Sequence, residues 1–347
     1  SEGISVYEEL QADPRWGQRM TPLYRDMILD GEATPLSELS SAFLAPKSPM
    51  HLQFAYYESA LAVEFLIDRF GQESLKLILR DLGSGLPINV AIERHTDPLP
   101  KLDQDFAKFV LKQAKQLAPK VDWTKPDLED LLNDDADALQ VWLKEHPHNF
   151  YGLTAYAQQL IENKEWKIAV GPLTKLIELY PEYTGAENAY EMLAVVYREL
   201  KQPKQEQAVL EQYIAVEADA VYPCLRIIEL GIRQKNWELV ERCAQHAIAV
   251  NPLLPQPYRG LTQAAEKTGK TDDAIDAYRA LLAIGPADLA DIHYRLALLL
   301  QQQNDPQAKR HVLSALEQAP RFRAAHKLLL KINRNGNSLA TKDKKRE

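Results

Sequence analysis

Residues 255–286, PQPYRGLTQAAEKTGKTDDAIDAYRALLAIGP, decide how most of this chain folds. With Pro255 as position 1, Tyr258, Leu261, Ala265, Ala274, Tyr278, Leu281 and Pro286 fall at positions 4, 7, 11, 20, 24, 27 and 32. The spacing describes a pair of helices closed by a proline. The same register recurs with a period of about 34 residues, the length of a helix–turn–helix repeat. Its units begin near Phe150, Glu187, Val221, Pro255 and Leu289 and end at Pro320.

The other units keep the pattern with graded fidelity. The first holds Leu153, Tyr156, Ala157, Leu160, Ala169, Leu173, Leu176 and Pro181. The second has Tyr190, Leu193, Ala194, Tyr197, Leu210 and Tyr213, but Glu206 where a small residue usually sits. The third keeps Ile227, Ala244, Ala247 and Pro252; the fifth, after a one-residue slip, keeps His293, Leu296, Ala297, Leu300, Ala308, Ala315 and Pro320. Small residues recur because two helices that cross closely leave no room for a branched side chain. The pattern resembles the tetratricopeptide repeat, whose arrays carry recognition surfaces rather than chemistry. Asp135–Pro147 (DADALQVWLKEHP) reads as the lone second helix of a degenerate repeat, and Arg321–Asn333 (RFRAAHKLLLKIN) as a capping helix over the last apolar face.

Composition sets outer limits. The chain has 347 residues and a formal charge of −8, which gives a nucleic-acid partner no electrostatic support. No apolar run reaches the roughly 18 residues that span a membrane. The ending Asn333–Glu347 (NRNGNSLATKDKKRE) is polar and charged and reads as a disordered tail from 334 on. Cys224 and Cys243 sit at interior offsets of one repeat, so two small buried thiols are expected. His146-Pro147-His148 reads as a repeat-ending proline with exposed histidines rather than a metal pair, and all five tryptophans are assigned to the core. The chain opens on Ser1 rather than Met, as a processed or trimmed polypeptide would.

Residues 1–120 lie outside the repeat register and form a separate helical domain, joined through a linker and half-repeat at 121–148 to the repeats at 149–320. Leu52, Ala55, Tyr56, Ser59, Val63, Leu66 and Phe70 lay one apolar stripe on a long helix, which Gly71 ends as a left-handed cap before Gln72–Asp81 begins the next. Further helices are expected over Ile4–Gln11, Trp16–Leu29, Pro35–Phe43, Ile88–Arg94 and Leu102–Leu117. No strand pattern appears, so the fold class is all-α throughout.

Ser1–Glu9 (SEGISVYEE) resembles the segment that follows the zinc-binding helix in gluzincin metallopeptidases, the aminopeptidase N family among them. Ala55–Leu66 (AYYESALAVEFL) resembles the helix of that family whose tyrosine stabilises the tetrahedral intermediate, and Asn89–Gln113 is similar to the helical ending of bacterial peptidase-MA-like proteins. The resemblance implies that Glu2 is a third zinc ligand and Tyr56 the oxyanion partner, with Tyr57 the alternative. It also implies zinc as cofactor of an intact, exported bacterial parent. Zinc would activate a water and a phenol would donate to the oxyanion. The HExxH pair that supplies two ligands and the base would lie about 20 residues upstream. None of the eight histidines here has that spacing. This chain alone is therefore expected to hold no metal and to be catalytically incomplete.

Two functions follow: the C-terminal portion of a metallopeptidase-like protein whose repeats bind protein or peptide partners, or a non-catalytic interaction scaffold. The concave face of such an array is lined by the first helix of each unit. There Tyr151, Tyr222 and Arg259 are candidate anchors for an extended peptide or a partner's helix. The Lys/Asn/Arg set that clamps a C-terminal carboxylate in some tetratricopeptide receptors is missing from the matching positions, which argues against a chaperone-tail receptor.

Overall fold

A computed structural model describes residues 2–127, 131 and 138–343. Among the described residues the regular structure is helical, with one isolated bridge between Asp122 and Asn149. The chain forms two compact units: Ser1–Gln202 with Ala215–Ala218, and Pro203–Ile214 with Asp219–Glu347.

The first unit opens with α1 (Glu2–Ala12), α2 (Pro22–Leu29), a 3-10 turn (Leu36–Glu38), α3 (Leu39–Leu44), α4 (Pro49–Gly83), α5 (Ile88–His95) and α6 (Leu99–Gln116). Proline at the first helical position and a side-chain cap start α2 and α4, where Thr21 and Ser48 accept from the amides of Tyr24 and His51. The helix expected over Trp16–Leu29 begins only at Pro22, and Trp16 is 45% exposed rather than buried. Of the expected stripe on α4, Ala55, Val63 and Leu66 are buried but Leu52, Tyr56, Ser59 and Phe70 only partly so. Phe54, Tyr57, Leu61 and Phe65, off that stripe, meet Tyr24, Leu102 and Phe106 in one core, and α4 packs against α1, α3, α5 and α6. Tyr24 stacks on Tyr57 at a centroid distance of 5.1 Å. Gly71 does interrupt α4, but with φ 80° and ψ 164° rather than in the left-handed helical region, and the helix resumes at once. That conformation belongs to glycine because a Cβ would clash there.

The same unit continues through α7 (Ala138–Glu145), α8 (Phe150–Glu162), α9 (Trp166–Leu179) and α10 (Ala189–Glu199). The half-repeat read at Asp135–Pro147 supplies α7; its residues 135–137, like Ser1 and 344–347, lie outside the described residues. Asn149 and Asn188, both buried, cap α8 and α10 by accepting from the amides of Gly152 and Glu191. The first compact unit runs on through the segment near residue 120. Trp123 packs its ring against Phe150 and Tyr180, the Arg25 guanidinium lies 4.8 Å over the same indole, and the Tyr180 hydroxyl donates to the Met20 carbonyl at 2.7 Å. His148 is exposed as expected but His146 only partly so: it stacks on Trp142 and its Nδ1 lies 2.8 Å from Asp122 Oδ2.

The second unit holds most of α11 (Pro203–Val216), then α12 (Val221–Gln234), α13 (Trp237–Val250), α14 (Pro255–Thr268), α15 (Thr271–Ile284), α16 (Leu289–Gln302), α17 (Gln307–Gln318) and α18 (Arg323–Asp343). Pairs α12–α13, α14–α15 and α16–α17 pack through short connections, and each pair stacks on the next. The small residues named by the repeat register close these contacts: Ala244, Ala274, Ala297 and Ala315 have no exposed surface. A Cβ on Gly260 would stand 3.0 Å from Ile228 Cγ2, which shows how tightly α14 lies against the preceding pair. The capping helix does follow Pro320, but its backbone runs on to Asp343 rather than stopping at Asn333, since no proline interrupts it.

One device recurs that residue type does not announce. The turn between the two helices of each repeat contains a left-handed residue: Lys164, Lys201, Lys235, Gly269 and Asn304, with φ of 60°, 56°, 58°, 75° and 58°. Only one of the five is glycine.

Candidate functional site

The exposed face of α12, α14 and α16 in the second unit is built by the same spacing that builds its core. On α14, Pro257, Gly260, Ala264 and Ala265 are buried, which turns Gln256, Arg259 and Glu266 outward. On α12, burial of Cys224, Ile227 and Ile228 leaves Tyr222 43% exposed, with Glu229 outward two turns further on.

Charge on this face is organised in ion pairs. Arg259 makes a bidentate pair with Asp288, with Nη1 2.7 Å from Oδ2. That carboxylate is held below the usual range by Arg259 and in turn holds the guanidinium more firmly protonated. Glu266 accepts from the Tyr278 hydroxyl at 2.6 Å and lies 3.8 Å from Arg295, which binds Asp291 at 2.7 Å. Burial, then the bond to Glu266, pushes the Tyr278 phenol above its ordinary value. Such half-exposed pairs contribute roughly 0–1 kcal/mol, so a ligand carboxylate can compete for Arg259 at little penalty.

Deeper in the same unit, Glu206 is 2% exposed and is held by Arg226, with Nε 2.6 Å from Oε1 and Nη2 3.1 Å from Oε2. This is the residue that breaks the small-residue register. The guanidinium also reaches Glu229 at 2.5 Å, linking the buried pair to the exposed face. No pattern in the sequence pairs Glu206 with Arg226; the one signal was the carboxylate standing where alanine was due.

His293, a register residue of the fifth repeat, pairs with His311, their Nδ1 atoms 3.0 Å apart. Cys224 and Cys243 are buried free thiols. The hydrogen bond Cys224 makes to Cys243, and then burial, push its thiol well above the ordinary value, which makes it a poor nucleophile.

Tyr151 belongs to the first unit, where its hydroxyl donates to Asp26 Oδ2 at 2.9 Å. Lys125 closes on the same carboxylate at 2.8 Å. Burial, then the bond to Asp26, raises the Tyr151 phenol. Tyr151 is thus engaged by an intramolecular carboxylate 125 residues away in sequence.

Glu2 starts α1, and the next residue, Gly3, is buried against α4 so closely that a Cβ would lie 2.3 Å from the Ser59 carbonyl oxygen. The Ser59 hydroxyl donates to the Tyr56 carbonyl at 2.8 Å. Glu2 and Tyr56 are thus carried by the same α1–α4 contact. Tyr56 is half-buried, with its ring edge-on to Phe43 at 5.0 Å, while Tyr57 lies deep in the core and its phenol is raised well above the ordinary value, by burial first. Glu2 lines a largely apolar cavity of about 310 Å³ with Phe43, Leu66, Ile78 and Ile92. Among the described residues no three of His, Cys, Asp and Glu are placed to share a metal ion. One carboxylate does not make a zinc site, so the residues present do not fit that metal.

No family model matches the chain, and no curated protein matches it. Solved structures similar to it include YrrB, described as a tetratricopeptide repeat protein with an unusual peptide-binding site, at 18% identity over 56% of this chain and 98% of that one, TM-score 0.42. They also include MamA from Desulfovibrio magneticus RS-1, at 14% identity over 50% and 97% with TM-score 0.37, and PilF of Pseudomonas aeruginosa, at 17% over 53% and 76% with TM-score 0.34. The tetratricopeptide-type reading of the array rests on its own repeat register and on the helix pairs that realise it.

Proposed function

We propose that this chain is a non-catalytic interaction scaffold whose tetratricopeptide-type repeats bind a protein or peptide partner on the exposed face of α12, α14 and α16. The observation that carries the reading is the outward row Tyr222, Gln256, Arg259 and Glu266, held on helices whose opposite faces are locked in the core. Tyr222 offers a flat amphipathic contact, and Arg259 a planar fork whose pair with Asp288 can be exchanged for a ligand carboxylate. An extended peptide carrying an acidic residue suits both anchors.

Peptides selected from a displayed random library against the whole chain test this. Tyr222→Ala and Arg259→Ala should each weaken the selected peptides by about tenfold, which corresponds to about 1.4 kcal/mol. Unchanged affinity in both variants would remove the face from the binding mechanism.

A metallopeptidase-like parent is the second reading. The close approach of Gly3 to Ser59, which puts Glu2 and Tyr56 at one helix contact, favours it. In that reading Glu2 is one ligand of a zinc completed by residues outside this sequence. Zinc retention measured on a polypeptide extended upstream, with and without Glu2→Ala, decides it: equal zinc content in the two ends the reading.

A further inference from the structure

Glu58 is the anomaly of the first unit. It sits on the apolar face of α4, is 1% exposed, and has only one of its two oxygens satisfied. Oε1 accepts from the Thr34 amide at 2.7 Å, whereas Oε2 is buried with no hydrogen-bond partner. An unpaired buried carboxyl oxygen forfeits its hydration without replacement, a loss of about 1–3 kcal/mol, and burial pushes the Glu58 carboxyl up to about 7, so its charged form lacks a partner. The residue lines a cavity of about 390 Å³ between the Gly31–Pro35 loop, α3 and the start of α4.

We propose that this cavity binds a small organic cation with N–H donors, a primary ammonium or a guanidinium on a short alkyl stem, through the orphan oxygen of Glu58. Glu32 and Glu38 also line the cavity, so three carboxylates face one lysine, Lys47, and one histidine, His51. His51 does not serve Glu58: the Ser48 hydroxyl lies 2.8 Å from its Nδ1 and can donate to it, leaving Nε2–H for Glu32 at 3.2 Å. A cation with N–H groups supplies both the missing hydrogen bond and the missing charge, the combination that makes such bonds strong. Phe54, Pro35 and Ala42 give the stem an apolar wall. A metal ion is the poorer occupant, since among the described residues no three such ligands converge. The site lies in a different unit from the repeat face above and does not depend on it.

Calorimetric titration of the full chain with n-butylammonium and agmatine, against tetramethylammonium and n-butanol, tests the assignment. The first two should bind saturably at one site, and the last two at least about tenfold more weakly, because tetramethylammonium has charge without N–H and butanol has neither charge nor ammonium donors. Glu58→Gln, which keeps the shape and removes the charge, should weaken the first two by about tenfold with an unchanged circular dichroism spectrum. Equal binding of tetramethylammonium, equal binding of butanol, or no saturable binding of either N–H cation overturns the proposal. These comparisons are made on the wild-type chain and hold whether or not the variant folds.

Discussion

Arg226→Ala is the substitution on which the physics of the repeats can be tested most sharply. It deletes both hydrogen bonds to a carboxylate that is 2% exposed, at 2.6 and 3.1 Å, and strands Glu206 between helices. Breaking a buried pair from one side destabilises by about 3–5 kcal/mol, because the remaining charge loses its guanidinium where water does not replace it. Glu206→Ala should be milder, about 1–2 kcal/mol, since Arg226 keeps Glu229 and its head group can move towards water. It also places alanine where the first, fourth and fifth repeats carry Ala169, Ala274 and Ala308, the third carrying Val240. The double variant should lie within about 1 kcal/mol of wild type, since a buried ion pair and a well-packed apolar replacement are often equivalent. The cycle is therefore non-additive by at least about 2 kcal/mol. Urea unfolding followed by far-UV circular dichroism gives the ranking. Amide exchange in α11 and α12 localises the effect, which matters because repeat arrays need not unfold all at once. A loss below about 1 kcal/mol in Arg226→Ala, or a double variant as unstable as the two singles summed, would refute the account of this pair as a desolvated unit.

Two further outcomes follow. Lys235→Gly should stabilise the second unit by a few tenths to about 1 kcal/mol, the left-handed strain relieved at φ 58° less the backbone freedom glycine restores to the unfolded chain; a loss of midpoint denaturant concentration would show that the lysine side chain matters more than its backbone. The His293–His311 pair has both imidazoles pushed below their ordinary value by burial, His311 also by His293, so the folded state resists protons that the unfolded state accepts. Stability from this pair is therefore complete above the unfolded value of about 6.5 and is lost as pH falls below it. The drop in stability between about pH 7.5 and 5.5 should shrink in His311→Gln, and an unchanged drop would mean that other groups carry it.

The apolar spacing of Tyr258, Leu261, Ala265, Ala274, Tyr278 and Leu281 by itself determined the helix pairs and their stacking. Helix period and the steric demand for a small residue at a close crossing are both local properties. For the same reason the buried thiols and the break at Gly71 were legible, whereas the stripe read on α4 missed Phe54, Tyr57, Leu61 and Phe65, which form its core face. What only the tertiary structure decided are contacts between positions that no local rule links. Asp26 takes the Tyr151 hydroxyl across 125 residues, so the first repeat joins the preceding helices in one compact unit. Arg226 accounts for Glu206, and His311 pairs with His293. Glu58 lies off the stripe that spacing marks as core, yet it is buried, and its character depends on the amide of Thr34 and on a cavity formed by another loop. Even the left-handed lysines at 164, 201 and 235 were set from outside, because lysine has no preference for that conformation and adopts it where packing of the two flanking helices outweighs its strain.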